Sequence, residues 1–235
     1  MSFAAFFRTF GIYFTKHHRG KMSGMWSLNT SCACNPHCVK QQGCKGSVCE
    51  ACYVPDIMKQ FPKGAKRWEE NTKSLNENII PVEAWPYIKK DIFRLESFGD
   101  LQSVLQAIHY INFATANPQT TFALWTKHPH YLKRAFDAGY KKPENLIIIF
   151  SSFWLNKASV PPYDFINKIF TAYDREIAEQ NEIDINCGAR NCNTCRRCYS
   201  KNGNGVEYIN EIKKDKKKQK AKIEIPLEPK LQGNF

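Results

Sequence analysis

Short apolar runs alternate with helical stripes through the middle of the chain. The runs at residues 25–28, 91–96, 120–126 and 146–150 have the length and composition of strands. The last run is apolar throughout, which is typical of a strand buried on both faces. Residues 101–112 and 131–138 place apolar side chains three and four positions apart and are predicted to be helices. Strands alternating with helices predict βα units and a parallel sheet.

The pattern is less regular outside this region. Residues 1–18 are rich in aromatic side chains and predict either a strand or a short helix. Helical stretches are predicted from Pro55 and over residues 65–76, whereas residues 79–86 contain two prolines and predict a connection. Residues 161–179 repeat apolar side chains every four positions, which predicts a helix. Residues 206–212 predict a strand or a short helix.

These elements predict an α/β fold, a partial or complete (βα) barrel with parallel strands and a small C-terminal cysteine-rich module. We divide the chain into an N-terminal segment (1–30), a barrel-like body with the first cysteine cluster (31–180), a C-terminal cysteine module (181–212) and a basic disordered tail (213–235). In parallel sheets of this kind, ligands bind at the carboxyl ends of the strands. Polar residues that follow the predicted strands are therefore candidates for a site.

Composition narrows the class of protein. The chain has 235 residues, of which 43% are hydrophobic, enough for a sizeable core. No apolar run is long enough to cross a membrane, and the N-terminal segment lacks a cleavage site, so we expect a cytoplasmic protein with reduced thiols and no membrane contact. Half of the net charge of +12 lies in residues 213–222. Such a run is typical of a solvated tail, or of one with weak, salt-sensitive contact to nucleic acid.

Ten cysteines form two clusters at opposite ends of the chain. Six lie between residues 32 and 52, and their most compact part has the spacing C-x4-C-x2-C. The other four have the spacing C-x4-C-x2-C-x2-C over residues 187–198. In a reducing compartment, cysteines at these spacings indicate metal binding or catalysis before disulfides. The candidate metal ligands are Cys38, Cys44, Cys49, Cys52, Cys187, Cys192, Cys195 and Cys198.

The two spacings favour iron–sulfur clusters and leave zinc as the alternative. The tandem CxxCxxC of the second cluster is closer to ferredoxin-type ligation than to separated zinc knuckles. In the first cluster, three thiols without a fourth suit a cubane cluster with one open iron, and Cys38 can take the place of Cys44. Cys32, Cys34 and His37 are then ligands of a separate zinc or bystanders. A single site that pools ligands from both ends of the chain is a further alternative.

Several motifs resemble known families. The segments SLNTSC, NPHC, SVCEACY, RLESFGD and WTKHP, together with the terminal CxxCxxCY, resemble the phage gene product 88 family over residues 25–199. A cysteine triplet that ends in CxxCY after the first parallel strand is also similar to the radical S-adenosylmethionine superfamily, with x4 here in place of the usual x3. This resemblance implies one or two [4Fe–4S] clusters and S-adenosylmethionine as cofactors.

The resemblance also implies where the cofactor would be held. The implied cofactor-binding residues are Tyr53, Arg94, Glu96, Gly99, Asp100, Lys127 and Ser151. Tyr53 would cover the adenine, Asp100 would bind the amino group, and Lys127 would bind the carboxylate or a substrate phosphate. Arg94 and Glu96 share one face of their strand and form either an inward-facing functional pair or an ion pair at a sheet edge.

Two functional hypotheses follow. The first is an iron–sulfur protein, a radical S-adenosylmethionine-type enzyme of phage or mobile-element origin that acts on an unknown nucleic-acid or peptide substrate. The alternative is a non-enzymatic, zinc-stapled protein that binds nucleic acid through its basic tail. Iron with acid-labile sulfide distinguishes the first from zinc alone. His128 and His130 are expected to be surface residues and not ligands.

Overall fold

One mixed sheet of seven strands organises the protein. A computed structural model describes residues 2–16, 18–201, 203 and 205–213, so the predicted disordered tail lies outside the described residues except for Lys213. The strands are β1 (Phe14–Thr15), β2 (Trp26–Leu28), β3 (Ile92–Leu95), β4 (Thr121–Thr126), β5 (Leu146–Ser151), β6 (Lys168–Tyr173) and β7 (Glu207–Ile212).

The strands lie side by side in the order in which they occur along the chain. β1 is antiparallel to β2, and every later strand is parallel to its predecessor. Crossovers between neighbouring parallel strands are almost always right-handed, and the connections between β2 and β5 place the helices that pack on the main core on the same face of the sheet. Within the described residues β1 and β7 are the two edges, so the sheet is open.

The described residues form eight α-helices, and several of them cover one face of the sheet. The helices are α1 (Phe3–Phe10), α2 (Pro36–Gln41), α3 (Val54–Gln60), α4 (Pro62–Glu77), α5 (Val104–Thr115), α6 (His130–Asp137), α7 (Arg175–Gln180) and α8 (Cys192–Cys195). Leu95 and Leu124 of the sheet belong to the same buried cluster as Leu75 of α4, Phe113 of α5 and Leu132 of α6. This cluster is the main hydrophobic core.

The C-terminal cysteine segment covers part of the opposite face. Trp125 and Ile149 of the sheet pack there with Tyr199, and Cys192 and Cys198 lie at the edge of this second cluster. The aromatic rings of Trp125 and Tyr199 are 6.0 Å apart between centroids. The cysteine segment therefore packs on the sheet itself, and β7, which follows it, extends the same sheet.

Most of the predicted elements are present. The structure has β2 to β5, α4, α5 and α6 at the positions that periodicity indicates. The N-terminal residues contain both a helix and a short strand, and residues 207–212 form a strand. Within the described residues, no helix is both long and apolar enough to span a membrane.

The predicted helix over residues 161–179 is wrong. Residues 168–173 form β6, and a helix begins only at Arg175. Phe165, Ile169 and Tyr173 are four positions apart, but this spacing also fits alternate positions of a strand, because four is a multiple of two. Pairing with β5 and β7 on both sides decides the outcome.

Candidate cysteine-lined site

A cavity of about 1610 Å³ lies at the carboxyl ends of the parallel strands. Its walls include the segments after β3, β4 and β5 and the end of β7. The cysteines that line it are Cys32, Cys38, Cys49, Cys52, Cys187, Cys192, Cys195 and Cys198. The structure therefore brings seven of the eight predicted ligands to one cavity. Cys32 lines the cavity, and Cys44 does not.

The loop after β2 is fixed to two neighbouring elements. Asn29 Oδ1 accepts a hydrogen bond from Ser97 N at 2.7 Å, which joins this loop to the segment after β3. Ser31 N donates to Thr72 Oγ1 of α4 at 2.8 Å. Cys32 follows directly and is buried. The two hydrogen bonds thus fix the chain immediately before Cys32.

Helix α2 presents Cys38 to the cavity. The buried Asn35 caps the helix by accepting from His37 N at 3.0 Å and Cys38 N at 3.4 Å, and Pro36 supplies a first helical residue that needs no such partner. The Asn35 amide also donates to the backbone oxygen of Asp100 at 2.9 Å. The cap therefore docks α2 on the segment after β3.

The loop that carries Cys49 is attached to the segment after β5. Val48 N donates to Phe153 O at 3.0 Å. The buried Ser47 hydroxyl donates to Cys44 O at 2.7 Å and accepts from Cys49 N at 3.2 Å. These bonds fold the loop back on itself. Cys49 of this loop lines the cavity, whereas Cys44 does not.

The thiols of the first cluster lie in a desolvated environment. Burial raises the pKa of Cys32 to about 11 and raises the pKa values of Cys38 and Cys49 above the usual range. The nearby Lys127 ammonium opposes this effect at Cys38 and Cys49. Without a metal these groups are thus neutral thiols near neutral pH, and metal binding would release protons.

The donor set fits a thiolate-bound metal centre in its chemistry, although the side chains are not gathered around one point. Among the residues that the structure describes, no three His, Cys, Asp or Glu side chains are positioned to hold a metal ion. The thiols of Cys32, Cys38, Cys49 and Cys52 nevertheless line one cavity beside Lys127, whose charge would offset that of thiolates.

Glu96 is the most buried charged group at the strand ends. Its carboxylate accepts hydrogen bonds from Thr30 N at 3.1 Å, Thr30 Oγ1 at 2.9 Å, Gln106 Nε2 at 2.7 Å and the Tyr110 hydroxyl. Only 2% of the residue is exposed, and its φ is +58°. Burial raises the pKa of Glu96 to about 7, against the opposing effect of these donors. Glu96 thus anchors the loop after β2 to β3 and α5.

Gly99 permits the close approach of the same two loops. A Cβ atom at this position would lie 2.1 Å from Thr30 Oγ1, 2.6 Å from Glu96 Oε2 and 2.7 Å from Thr30 O. Because a backbone oxygen is among these atoms, a side chain could not be accommodated by a rotamer change alone. Glycine is needed here for space.

Asp100 joins the ends of β3 and β4. Its carboxylate accepts from Thr126 Oγ1 at 2.6 Å, Leu101 N at 2.8 Å and Lys127 N at 3.1 Å. Burial lowers the pKa of the Lys127 side chain, but Asp100 and the nearby thiols outweigh this effect and the pKa is raised. Lys127 is therefore a cation close to the first cysteine cluster.

Arg94 and Glu96 do not pair with each other in the described part of the chain. The Arg94 guanidinium lies over the Trp125 ring, 3.6 Å from its centroid. Its Nε atom is buried without a hydrogen-bond partner. Arg94 and Glu96 are predicted to share one face of their strand. Their contacts differ, because the Glu96 carboxylate turns toward α5 while the Arg94 guanidinium stays in the cavity.

The remaining predicted cofactor residues also line the cavity. The Tyr53 hydroxyl donates to Ser97 O at 3.3 Å, and 49% of the residue remains exposed. Ser151 ends β5 and is partly buried. Thus Tyr53, Arg94, Glu96, Gly99, Asp100, Lys127 and Ser151 all contribute to one surface.

The second cluster is held by an ion pair and by packing on the sheet. Lys21 Nζ lies 2.5 Å from Glu211 Oε1, 3.3 Å from Cys187 O and 3.9 Å from Cys187 Sγ. Burial raises the pKa of Cys187 to about 11 and that of Cys198 to about 12. Two flanking arginines pair with carboxylates, Arg196 with Asp91 at 2.5 Å and Arg197 with Glu207 at 3.6 Å.

Several residues of the cavity escaped the sequence analysis. Cys32 was treated as a bystander or a zinc ligand, although its place directly after β2 was a usable signal. Trp125 and Tyr199 reach the cavity only through the tertiary fold. His128 is buried and stacks on His37 at a centroid distance of 4.1 Å, so the expectation that it is a surface residue is wrong.

Comparison with known proteins gives one match. A family model described as gene product 88 matches residues 14–223, which include both cysteine clusters, the strand ends and the lysine-rich run. Searches of curated proteins and of solved structures gave no match. The matched span is most of the chain, and we conclude that this chain belongs to the gene product 88 family.

Proposed function

We propose that this protein is an iron–sulfur enzyme of the radical S-adenosylmethionine type. One observation carries the proposal: thiols from both ends of the chain and the polar segments after β3, β4 and β5 line the same cavity. A ligand at the carboxyl ends of parallel strands is the usual arrangement in folds of this kind. Six parallel strands in chain order also fit a partial βα barrel.

The first metal centre would be held by three of Cys32, Cys38, Cys49 and Cys52. All four line the cavity, whereas Cys44 and the exposed Cys34 do not. A [4Fe–4S] cluster with S-adenosylmethionine supplies, when bound, one-electron cleavage of a sulfonium. The chain would contribute the thiolates and the nearby cation of Lys127, which lowers the electrostatic cost of assembling them.

The other residues act by position. Asp100 fixes the backbone of Lys127, and Glu96 with Gly99 holds the two loops together at the closest point. Tyr53 lies half-exposed at the cavity surface, where its ring could cover a flat ligand and exclude water. The second cluster faces the same cavity and would hold a second iron–sulfur centre there.

Metal and sulfide analysis of protein purified without oxygen tests this proposal. We expect roughly four irons and four acid-labile sulfides for each bound centre. With dithionite and S-adenosylmethionine, we expect 5′-deoxyadenosine to form. Zinc without iron would overturn the proposal and favour the zinc-stapled, nucleic-acid-binding alternative.

Single cysteine variants test the ligand set. Of Cys32→Ala, Cys38→Ala, Cys49→Ala and Cys52→Ala, three should each lower the iron content by about half, because they remove the first centre and leave the second; the fourth identifies the residue that is not a ligand. Cys34→Ala and Cys44→Ala are matched controls that should keep the full content, since neither residue lines the cavity. Loss of iron in Cys44→Ala with retention in Cys32→Ala would show that the ligand set inferred from the cavity is incorrect.

A further inference from the structure

Arg94 is a cation inside the cavity without an anionic partner. The structure places no carboxylate within ion-pair distance of its guanidinium among the described residues, and Nε makes no hydrogen bond. The neighbouring acid, Glu96, is committed to Thr30, Gln106 and Tyr110. Stacking on Trp125 holds the guanidinium plane in place but provides no counter-charge.

Three other basic side chains around the C-terminal segment are paired. Lys21 contacts Glu211, Lys168 contacts Glu207, and Arg196 contacts Asp91. Taking a cation out of water is unfavourable unless an anion or several acceptors replace the lost hydration. Arg94 differs from these neighbours because it has no carboxylate partner. An anionic ligand would supply the missing counter-charge.

Two hydroxyl groups of the same cavity also lack partners among the described residues. Ser97 Oγ and Tyr199 OH are buried without a hydrogen bond, and each residue is only 7% exposed. Both residues line the cavity with Arg94, and the Tyr199 ring lies against the same Trp125. Unpaired buried hydroxyls are uncommon in folded proteins, and a bound ligand is one of the standard explanations.

We propose that Arg94, with the Ser97 and Tyr199 hydroxyls, binds a phosphate group of the substrate. A guanidinium presents paired N–H donors that match a phosphate, and hydroxyls complete such a site. The charge of the whole cavity also favours an anion. Ten Lys and Arg but only four Asp and Glu line it, which gives a formal charge of +6 before any thiolate is counted. The substrate class is therefore a phosphate-bearing molecule, such as a nucleotide or a nucleic-acid strand.

Phosphate binding to the purified full chain tests the site without requiring turnover. Inorganic phosphate would be titrated calorimetrically at constant ionic strength set with chloride. We expect saturable binding that Arg94→Gln weakens at least tenfold and Arg94→Lys weakens less. Arg67→Gln is the matched control, because Arg67 lies at the same cavity over Tyr13 and carries the same charge. It should change the affinity by less than threefold.

Tyr199→Phe separates binding from folding. The Tyr199 hydroxyl has no partner in the protein, so its removal should leave the unfolding midpoint unchanged or raised while weakening phosphate binding severalfold. Absence of saturable phosphate binding in the parent protein, or equal losses in Arg67→Gln and Arg94→Gln, would overturn the proposal. Tighter binding of succinate than of phosphate would also overturn it, in favour of a carboxylate ligand.

The inference rests on the proposed function only in calling the ligand a substrate. Protein that contains zinc alone but binds phosphate through Arg94 would retain the phosphate site and lose the radical function. Iron-loaded protein whose phosphate affinity does not depend on Arg94 would retain the radical function and lose the phosphate site. In that case the metal–thiolate charge near Cys192 and Cys198, which lie in the field of Arg94, would be its counter-charge.

Discussion

Glu96 combines an uncommon backbone conformation with nearly complete burial of its side chain. A non-glycine residue with φ near +58° is uncommon and persists only where surrounding contacts determine it. Here four donors converge on one carboxylate, and they come from the loop after β2 and from α5. Glu96, which the resemblance implies to be a cofactor-binding residue, is therefore also the main polar link between the loop after β2 and α5.

Glu96→Gln should change the pH dependence of stability. The folded-state pKa of about 7 exceeds the ordinary value of 4.5, so the folded protein retains a proton that the unfolded chain has released. The contribution of this group to the free energy of unfolding therefore falls as the pH rises from about 4.5 to about 7, by roughly 3 kcal/mol in total.

Denaturant unfolding of both proteins at pH 5, 6, 7 and 8 measures this effect. The variant is expected to be less stable at pH 5, because the amide cannot reproduce all four contacts. The difference from the parent protein should shrink toward pH 8. A constant difference across this range would show that Glu96 does not titrate with a raised pKa.

At the scale of elements, Asp100 couples β3 to β4. Adjacent parallel strands are joined by backbone hydrogen bonds along their length, but the segments beyond their ends have no such ladder. Asp100 supplies the missing connection through Thr126 Oγ1 and Lys127 N. Its backbone oxygen also receives the Asn35 amide, so three segments of the cavity wall meet at one residue.

Asp100→Asn should destabilise the protein and perturb the cavity wall. One carboxylate oxygen would become an amide N–H₂ that faces donors, which leaves a buried hydrogen bond unmade at a cost of about 1–3 kcal/mol. Asp137→Asn is the control, since Asp137 forms an exposed i,i+4 pair with Lys133 and its loss should have little effect. Equal unfolding midpoints for the two variants would contradict the assigned role of Asp100.

At the scale of the whole molecule, the sheet brings the two ends of the cysteine pattern together. The first cluster follows β2, and the second lies between β6 and β7 on the far side of the sheet. The C-terminal cluster reaches the cavity because it packs across the open face against Trp125. The family match extends to residue 223 and so includes the lysine-rich run that follows β7.

Truncation after Lys213 tests the role of that run. We expect the shortened protein to keep its metal content and phosphate affinity, because every cysteine and Arg94 remain. Its affinity for single-stranded nucleic acid should fall, and the logarithmic salt dependence should become shallower by about 0.7 for each lost lysine–phosphate contact. Fluorescence anisotropy at several salt concentrations measures both quantities. Unchanged affinity and slope would assign nucleic-acid binding, if any, to the rest of the chain.

The sequence predicted much of the fold but could not assign every element. Residues 146–150 are apolar throughout and lie between helical stripes, so β5 was evident from local pattern alone. β6 was missed because the spacing of Ile169 and Tyr173 satisfies a helix and a strand equally. Only the neighbouring strands, which provide hydrogen bonds along both edges, separate the two possibilities.

The candidate site shows the same division. Sequence alone determined that two thiol clusters frame a run of βα units and that polar residues follow its strands, because periodicity and ligand type are local properties. Tertiary structure decided that Cys32 and not Cys44 lines the cavity, and that Arg94 lacks the acid two positions away. Those outcomes depend on loop anchoring and on contacts with α5 and the C-terminal segment, which come from distant parts of the chain.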